Sequence, residues 1–149
     1  MDTSGKRKTV AVVTGGFDPL HSGHIDYLKE AATLGEKLVI GLNSDEWLKR
    51  KKGNYFLPYS ERVTILNQLP YINNIYSFDD SDNSARDLLL KIKQHFTSST
   101  IIFCNGGDRT KDNIPESLMT GIVFAYNVGG KKTASSSDYL ARWITVNER

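Results

Sequence analysis

Two histidines, His21 and His24, stand three residues apart behind Gly15-Gly16-Phe17-Asp18-Pro19-Leu20. The apolar run Val10 to Val13 precedes them, and Ile25, Leu28, Ala31 and Ala32 follow at helical spacing until Gly35. Such a pattern predicts a buried strand, a glycine turn and a helix start, with both imidazoles on one face of the first turn. The first N–H groups of a helix lack partners within it, and the helix dipole is positive there. The turn is therefore suited to hold phosphate beside two imidazoles. Gly23 would leave room for a ligand to approach the backbone. The same spacing also fits helix-capping histidines in a core, or a zinc pair. Zinc would need further ligands, and here His95 falls in an amphipathic stretch and Cys104 is the single cysteine.

Strands and helices alternate around this turn. Lys37 to Leu42 predicts a second strand, and Asn43-Ser44-Asp45 offers caps for a short helix with Trp47 and Leu48. After the loop from Lys52 to Pro58, Ser60 is placed to cap a helix carrying Val63, Leu66 and Leu69, ended by Pro70. Ile72 to Phe78 predicts a third strand. Ala85, Leu88, Leu89, Ile92 and Phe96 then line one face of the clearest amphipathic helix. Thr100 to Cys104 and Gly121 to Tyr126 predict strands four and five, separated by the turn Asn105-Gly106-Gly107-Asp108-Arg109 and a helix start at Pro115-Glu116. A last helix beginning near Ser135-Ser136-Ser137-Asp138 is expected to bury Leu140, Trp143 and Ile144. The alternation implies right-handed crossovers and an α/β fold, a five-stranded parallel sheet with helices on both faces. Ligands bind such sheets at the carboxyl ends of the strands, where strand order reverses. The histidine turn and the Asn105 turn should share that crevice.

At 149 residues the chain is expected to form a single domain, with residues 1 to 8 a polar tail ahead of the first strand. Nineteen basic and seventeen acidic side chains leave a net charge of +2, which gives no electrostatic reason to expect nucleic acid as a partner. The run Lys49-Arg50-Lys51-Lys52 lacks the interleaved aromatics of a strand-tracking groove. A lone cysteine fits a reducing compartment. With no membrane-length apolar run and a polar N-terminus, the expected location is the cytoplasm, with no membrane partner.

The stretch from Gly16 through His21-Ser22-Gly23-His24 closely resembles the signature of the nucleotidyltransferase superfamily that includes cytidylyltransferases, adenylyltransferases and class I aminoacyl-tRNA synthetases. Ala31 to Gly35, Leu38 to Asp45, Lys49 to Gly53, Tyr59-Ser60-Glu61-Arg62 and Gly106-Gly107-Asp108 resemble successive blocks of its small sugar-phosphate and polyol-phosphate members. Within these the chain is most similar to the heptose 1-phosphate adenylyltransferases, with the glycerol-3-phosphate cytidylyltransferases next. It departs from the heptose enzymes at Asn105, where they carry lysine, and at Arg109 to Asn113.

The resemblance implies a Rossmann-like fold, a homodimer, and a reaction in which a phosphorylated acceptor attacks the α-phosphorus of ATP or CTP, bound with Mg²⁺. It places His21 and His24 on the triphosphate. Gly15, Gly16, Phe17, Asp18, Gly23, Asn105, Gly107, Asp108, Thr133, Ser135, Ser136 and Ser137 become candidates for nucleotide binding, and no metal ligand is assigned to the protein. Lys51 and Lys52 would reach the attacking or α-phosphate, or form a solvated basic helix end. Arg62 would hold phosphate, or pair with a neighbouring acid. For Asp18, ordering the glycine turn comes first and a metal or substrate role second, whereas Asp108 would hold the ribose or base or cap its turn. The three serines could bind the β- and γ-phosphates, although N-capping needs only one of them. Cys104 is expected to pack; Trp47, Tyr55 and Phe56 could pack or line the acceptor pocket, with packing preferred for Trp47.

Overall fold

The computed structural model describes residues 8–106, 114–130 and 135–147. Its centre is a five-stranded parallel sheet in the order β3-β2-β1-β4-β5, built from β1 (Lys8–Gly15), β2 (Lys37–Leu42), β3 (Asn74–Tyr76), β4 (Ser99–Gly106) and β5 (Ile122–Val128). Five α-helices accompany it: α1 (Ser22–Thr33), α2 (Asp45–Lys52), α3 (Tyr59–Leu66), α4 (Arg86–His95) and α5 (Ser136–Asn147). A single 3-10 turn, Pro115–Leu118, precedes β5.

Strand periodicity of two sorts the core into two layers. Ala11 and Val13 of β1 join Leu28, Ala31, Ile40, Leu42 and Leu66 on the face covered by α1 and α3. Val10 and Val12 join Val39, Leu88, Leu89, Ile92 and Phe103 on the face covered by α4. A strand buried on both sides must be apolar at every position, which is why Val10 to Val13 form an unbroken run.

Several boundaries differ from expectation. Lys8 is no part of a tail: it begins β1 and pairs with Ser99. The third strand shrinks to Asn74–Tyr76 because it is an edge, paired only with Val39, Ile40 and Gly41 of β2. Ser60 does not cap α3. Pro58 takes the N-cap position without a side-chain bond, and the Ser60 carbonyl accepts from the Thr64 hydroxyl at 2.9 Å. The largest difference is in α5, where Trp143 is 64% exposed and Ile144 52%, while Leu140 is half-buried. The helix touches the rest of the chain through its first turn, so its apolar positions do not become core.

Candidate active site

Consecutive strands run outward from β1 through β2 to β3, and in the other direction from β4 to β5. The reversal therefore lies between β1 and β4, and the crevice outside their carboxyl ends is where such a sheet binds ligands. A cavity of about 220 Å³ opens there, lined among others by Thr14 of β1, Asn43 after β2, and Cys104, Asn105 and Gly106 of β4.

The histidine turn sits at the β1 end of this crevice. His21 is the N-cap of α1, and its Nδ1 accepts from the Gly23 N–H at 3.0 Å. His24 completes a capping box by accepting the His21 N–H on its own Nδ1 at 3.2 Å. A ring nitrogen that accepts carries no proton, so both neutral imidazoles hold theirs on Nε2, as donors. The rings stack with centroids 3.8 Å apart, and the Phe17 ring meets His24 edge-on at 5.1 Å. Gly23 has a different reason from the one expected. A Cβ there would come within 2.9 Å of His21 Cε1, so its open side is filled by the capping imidazole rather than left for a ligand.

Gly15 and Gly16 likewise serve close packing: added Cβ atoms would lie 3.1 Å from the Phe17 ring and 2.7 Å from Leu48 Cδ2. Phe17 itself adopts φ of 48°, a left-handed conformation rare for a bulky side chain, and its ring is buried. The Asp18–Pro19 peptide is cis. Asp18 is 1% exposed, and its carboxylate accepts from the Phe56 N–H at 2.6 Å and the Leu57 N–H at 2.7 Å. It orders the loop after α2 against the glycine turn, the first of the two roles expected of it.

Arg62 takes the second of its two expected roles, an ion pair with an acid, and does so buried rather than at the surface. It is 1% exposed, with Nε on the Leu57 carbonyl at 2.9 Å and Nη1 on the carbonyls of Gly16 and Asn43 at 3.1 and 2.7 Å. Nη2 pairs with Asp45 at 2.6 Å. No phosphate reaches a guanidinium so enclosed; Arg62 is a strut joining the glycine turn, the end of β2 and the loop before α3. Its place in sequence could not separate these roles, because burial is a tertiary property.

The start of α5 packs on the histidine turn itself. The Ser136 hydroxyl is buried and donates to the Pro19 carbonyl at 2.7 Å. Ser135 accepts the Asp138 N–H at 3.1 Å, which is the capping reading, and Ser137 is exposed. Tyr139 lies beside His21 with ring centroids 5.7 Å apart. The N-termini of α1 and α5 thus face the same turn. Gly107, Asp108 and Thr133 lie outside the described residues. Asn105 is inside the cavity wall, its amide nitrogen donating to the Phe103 and Ala125 carbonyls at 3.3 and 3.4 Å.

The two lysines close α2, which Gly53 ends at φ of 88°. Lys52 Nζ donates to the Asp18 carbonyl at 3.1 Å, and Lys51 Nζ lies over the Trp47 ring at 5.6 Å. Trp47, for which packing is the preferred of two expectations, lines the cavity, whereas Phe56 is 55% exposed. The helix is held by Asp80, which accepts from Asn43 Nδ2, the Ser44 N–H and the Ser44 hydroxyl at 3.1, 2.8 and 2.8 Å. The sequence reading missed Asp80, Asn83, Ser84 and Glu116, which come from the segments after β3 and β4. Their one available signal was position: each follows a strand's carboxyl end in a sheet whose order had been inferred.

With that geometry in place, the match to the cytidylyltransferase-like family over residues 12–118 is decisive. The chain belongs to that family, and so to the nucleotidyltransferases. It is 31% identical over 142 residues to the bifunctional protein HldE of Geobacter metallireducens, covering 91% of this chain and 27% of that protein. HldE of Pelobacter propionicus is 36% identical over 109 residues, with coverages of 72% and 21%. The chain therefore spans about a quarter or less of these curated relatives. Among solved structures, the lipopolysaccharide core biosynthesis protein of Thermoplasma volcanium superposes with a TM-score of 0.60 at 22% identity, covering 81% of this chain and 96% of its own. The bifunctional NMN adenylyltransferase/ADP ribose pyrophosphatase of Francisella tularensis gives 0.70 at 13% identity, with coverages of 95% and 43%. At such identities the shared feature is the fold.

Proposed function

We propose that the chain transfers a nucleotidyl group, AMP from ATP, to the phosphate of a sugar phosphate such as heptose 1-phosphate, releasing pyrophosphate. The observation that carries this reading is the pair of stacked imidazoles at the start of α1, each with Nδ1 accepting a backbone N–H and so with its ring proton on Nε2. The similarity to HldE over most of the chain supports a heptose phosphate as acceptor.

In this reaction an acceptor phosphate oxygen attacks the α-phosphorus in line, the bond from the α-phosphorus to the bridging oxygen breaks, and pyrophosphate leaves. No covalent enzyme intermediate is required, so alignment and charge stabilisation carry the rate. His21 and His24 donate from Nε2 to the α-phosphate and bridging oxygens, where charge develops. The N–H groups of Ser136 and Ser137 at the start of α5 receive the β- and γ-phosphates. Lys52, already beside Asp18, serves the α-phosphate; Lys51, with Nζ over the Trp47 ring, serves the acceptor phosphate. Asn105, Gly107, Asp108 and Thr133 are assigned to the nucleoside. Among the described residues no three His, Cys, Asp or Glu side chains converge as a metal site. Mg²⁺ enters with the substrate in this proposal, as the metal complex of the triphosphate.

A second reading, CTP-dependent transfer to glycerol 3-phosphate, is favoured by the family match itself. Pyrophosphate release decides between them, with ATP and CTP each crossed against heptose 1-phosphate and glycerol 3-phosphate, and with His24→Ala as control. Release with ATP and heptose 1-phosphate, lost in the variant, is the expected result. Release only with CTP and glycerol 3-phosphate would transfer the assignment to the second reading, and release in no pairing would overturn both.

A further inference from the structure

Asn43 directly follows β2, lines the cavity and is 6% exposed. Its Nδ2 donates to Asp80 Oδ2 at 3.1 Å. An ionised carboxylate only accepts, so the amide cannot turn end for end without losing that bond. Among the described residues nothing donates to the other end, Oδ1, which is the group the side chain offers to the cavity. Asp80 is itself fixed: it is 5% exposed and also accepts from the Ser44 N–H and hydroxyl, while Arg50 donates to its carbonyl at 2.7 Å. A buried acceptor is unfavourable unless water or a ligand supplies its donor.

We propose that Asn43 is a specificity-determining residue of the acceptor site, its Oδ1 taking a hydrogen bond from a hydroxyl of a phosphorylated polyol or sugar, and that Asp80 is the positioning residue that turns the amide this way. This deepens the reading of the site as a sugar-phosphate nucleotidyltransferase and rests on it for the position of the phosphates. In-line displacement puts the acceptor and the leaving pyrophosphate on opposite sides of the α-phosphorus. The helices α5 and α2 meet the turn at different places, α5 at Pro19 and His21, α2 at Gly16 and Asp18. With the β- and γ-phosphates at α5, the acceptor falls to the side of α2. Along that side Asn43, Trp47 and Lys51 follow one another at four-residue spacing, and Lys51 Nζ lies over the Trp47 ring at 5.6 Å. An acceptor with its phosphate at Lys51 therefore turns its hydroxyl-bearing end toward Asn43. Oδ1 discriminates by the sense of the bond: a hydroxyl can donate to it, whereas an ether oxygen, a fluorine or a quaternary ammonium cannot.

The test is direct binding by calorimetry, with a non-hydrolysable ATP analogue present, of mannose 1-phosphate, its monodeoxy and monodeoxyfluoro analogues, and phosphocholine. On the unaltered chain, one ring position should exist at which removing the hydroxyl and replacing it by fluorine each weaken binding about tenfold, as for one buried group left without its partner. Phosphocholine should bind worst. In Asn43→Ala the parent sugar phosphate should lose about the same factor and the analogues should no longer differ from it, with the affinity for the ATP analogue and the thermal midpoint held. Asp80→Asn offers Asn43 an amide that can either donate or accept, so Asn43 is free to turn and the preference for hydroxyl over fluorine should shrink. A merely structural Asp80 would lower the thermal midpoint and keep that preference, which would overturn its positioning role. Equal binding of all analogues overturns the proposal, as does a position where fluorine restores the affinity that the deoxy compound loses, a preference for phosphocholine, or no binding of mannose 1-phosphate. Asn43-dependent sugar binding without pyrophosphate release would remove the proposed reaction and leave this inference standing. Turnover of a sugar phosphate indifferent to Asn43→Ala would do the reverse.

Discussion

The histidine turn and the neighbouring cavity face the same crevice but are built in different ways. Around the turn, polar groups hold one another: His21 holds Gly23, His24 holds His21, Asp18 holds the Phe56 and Leu57 N–H groups, and Arg62 binds three carbonyls and Asp45. In the cavity, Asn43 and Asn105 each use the amide nitrogen on the protein and turn the oxygen elsewhere. One half is a network of polar groups that fix one another; under the proposed reaction the other is the surface that meets the ligand. Preorganisation suits the half where charge develops, since donors already fixed need no reorganisation during reaction. The reading half draws on residues far apart in sequence, so it can change without disturbing the turn.

If this contrast is right, damage to the two halves will have different signatures. His24→Ala should have the largest effect on turnover, lowering kcat by about 10²–10³ through loss of one donor to the developing charge. Urea denaturation should find it folded, and a kcat within a few-fold of wild type would remove His24 from the reaction. Arg62→Ala should act on the fold instead, costing about 3–5 kcal/mol, because it leaves Asp45 and three carbonyls without their partner. Arg62→Lys should recover little, since an ammonium cannot span four acceptors. A raised KM with unchanged urea midpoint would restore the phosphate role that burial argues against.

Gly23→Ala sharpens the account of the turn. Its Cβ would displace the His21 ring and with it the cap, and a misplaced donor should lower kcat/KM by about tenfold to a hundredfold. Nucleotide binding weakened without loss of the cap, read from the His21 ring resonances, would favour direct ligand approach at Gly23. The smallest effect concerns Cys104, whose thiol burial pushes up to about 11 from 9.0. The folded state holds this proton more tightly than the unfolded chain. Its contribution is therefore complete below about pH 9 and lost as pH rises toward 11. The urea midpoint of the wild type should fall more steeply across that interval than that of Cys104→Ala, and parallel slopes would contradict the shift.

The fold was legible because local signals agreed: Val10 to Val13 could only be a doubly buried strand, and α4 followed from Leu88, Leu89 and Ile92. The α5 helix was located by its serines, but the burial of Trp143 and Ile144 was misjudged. Amphipathic spacing states which face is apolar and says nothing about whether another element arrives to cover it. In the site, the spacing of His21 and His24 is sufficient to find the turn, whereas Asp18 and Arg62 each admit two readings, and burial favours turn ordering for the first and an ion pair with Asp45 for the second. An arginine one turn into a helix has the same sequence whether it faces solvent or a cage of carbonyls.

Sequence by itself determined the strand-helix alternation, the parallel sheet and the two imidazoles at a helix start, because these follow from periodicity, glycine placement and backbone valence within short stretches. Tertiary structure decided which donors were already engaged, that the open side of Gly23 is filled by His21, and that Asn43, Asn83, Asn105 and Glu116 border one cavity. The cavity depends on residues as far apart in the chain as Asn43 and Glu116, and distance along a chain does not encode distance in space.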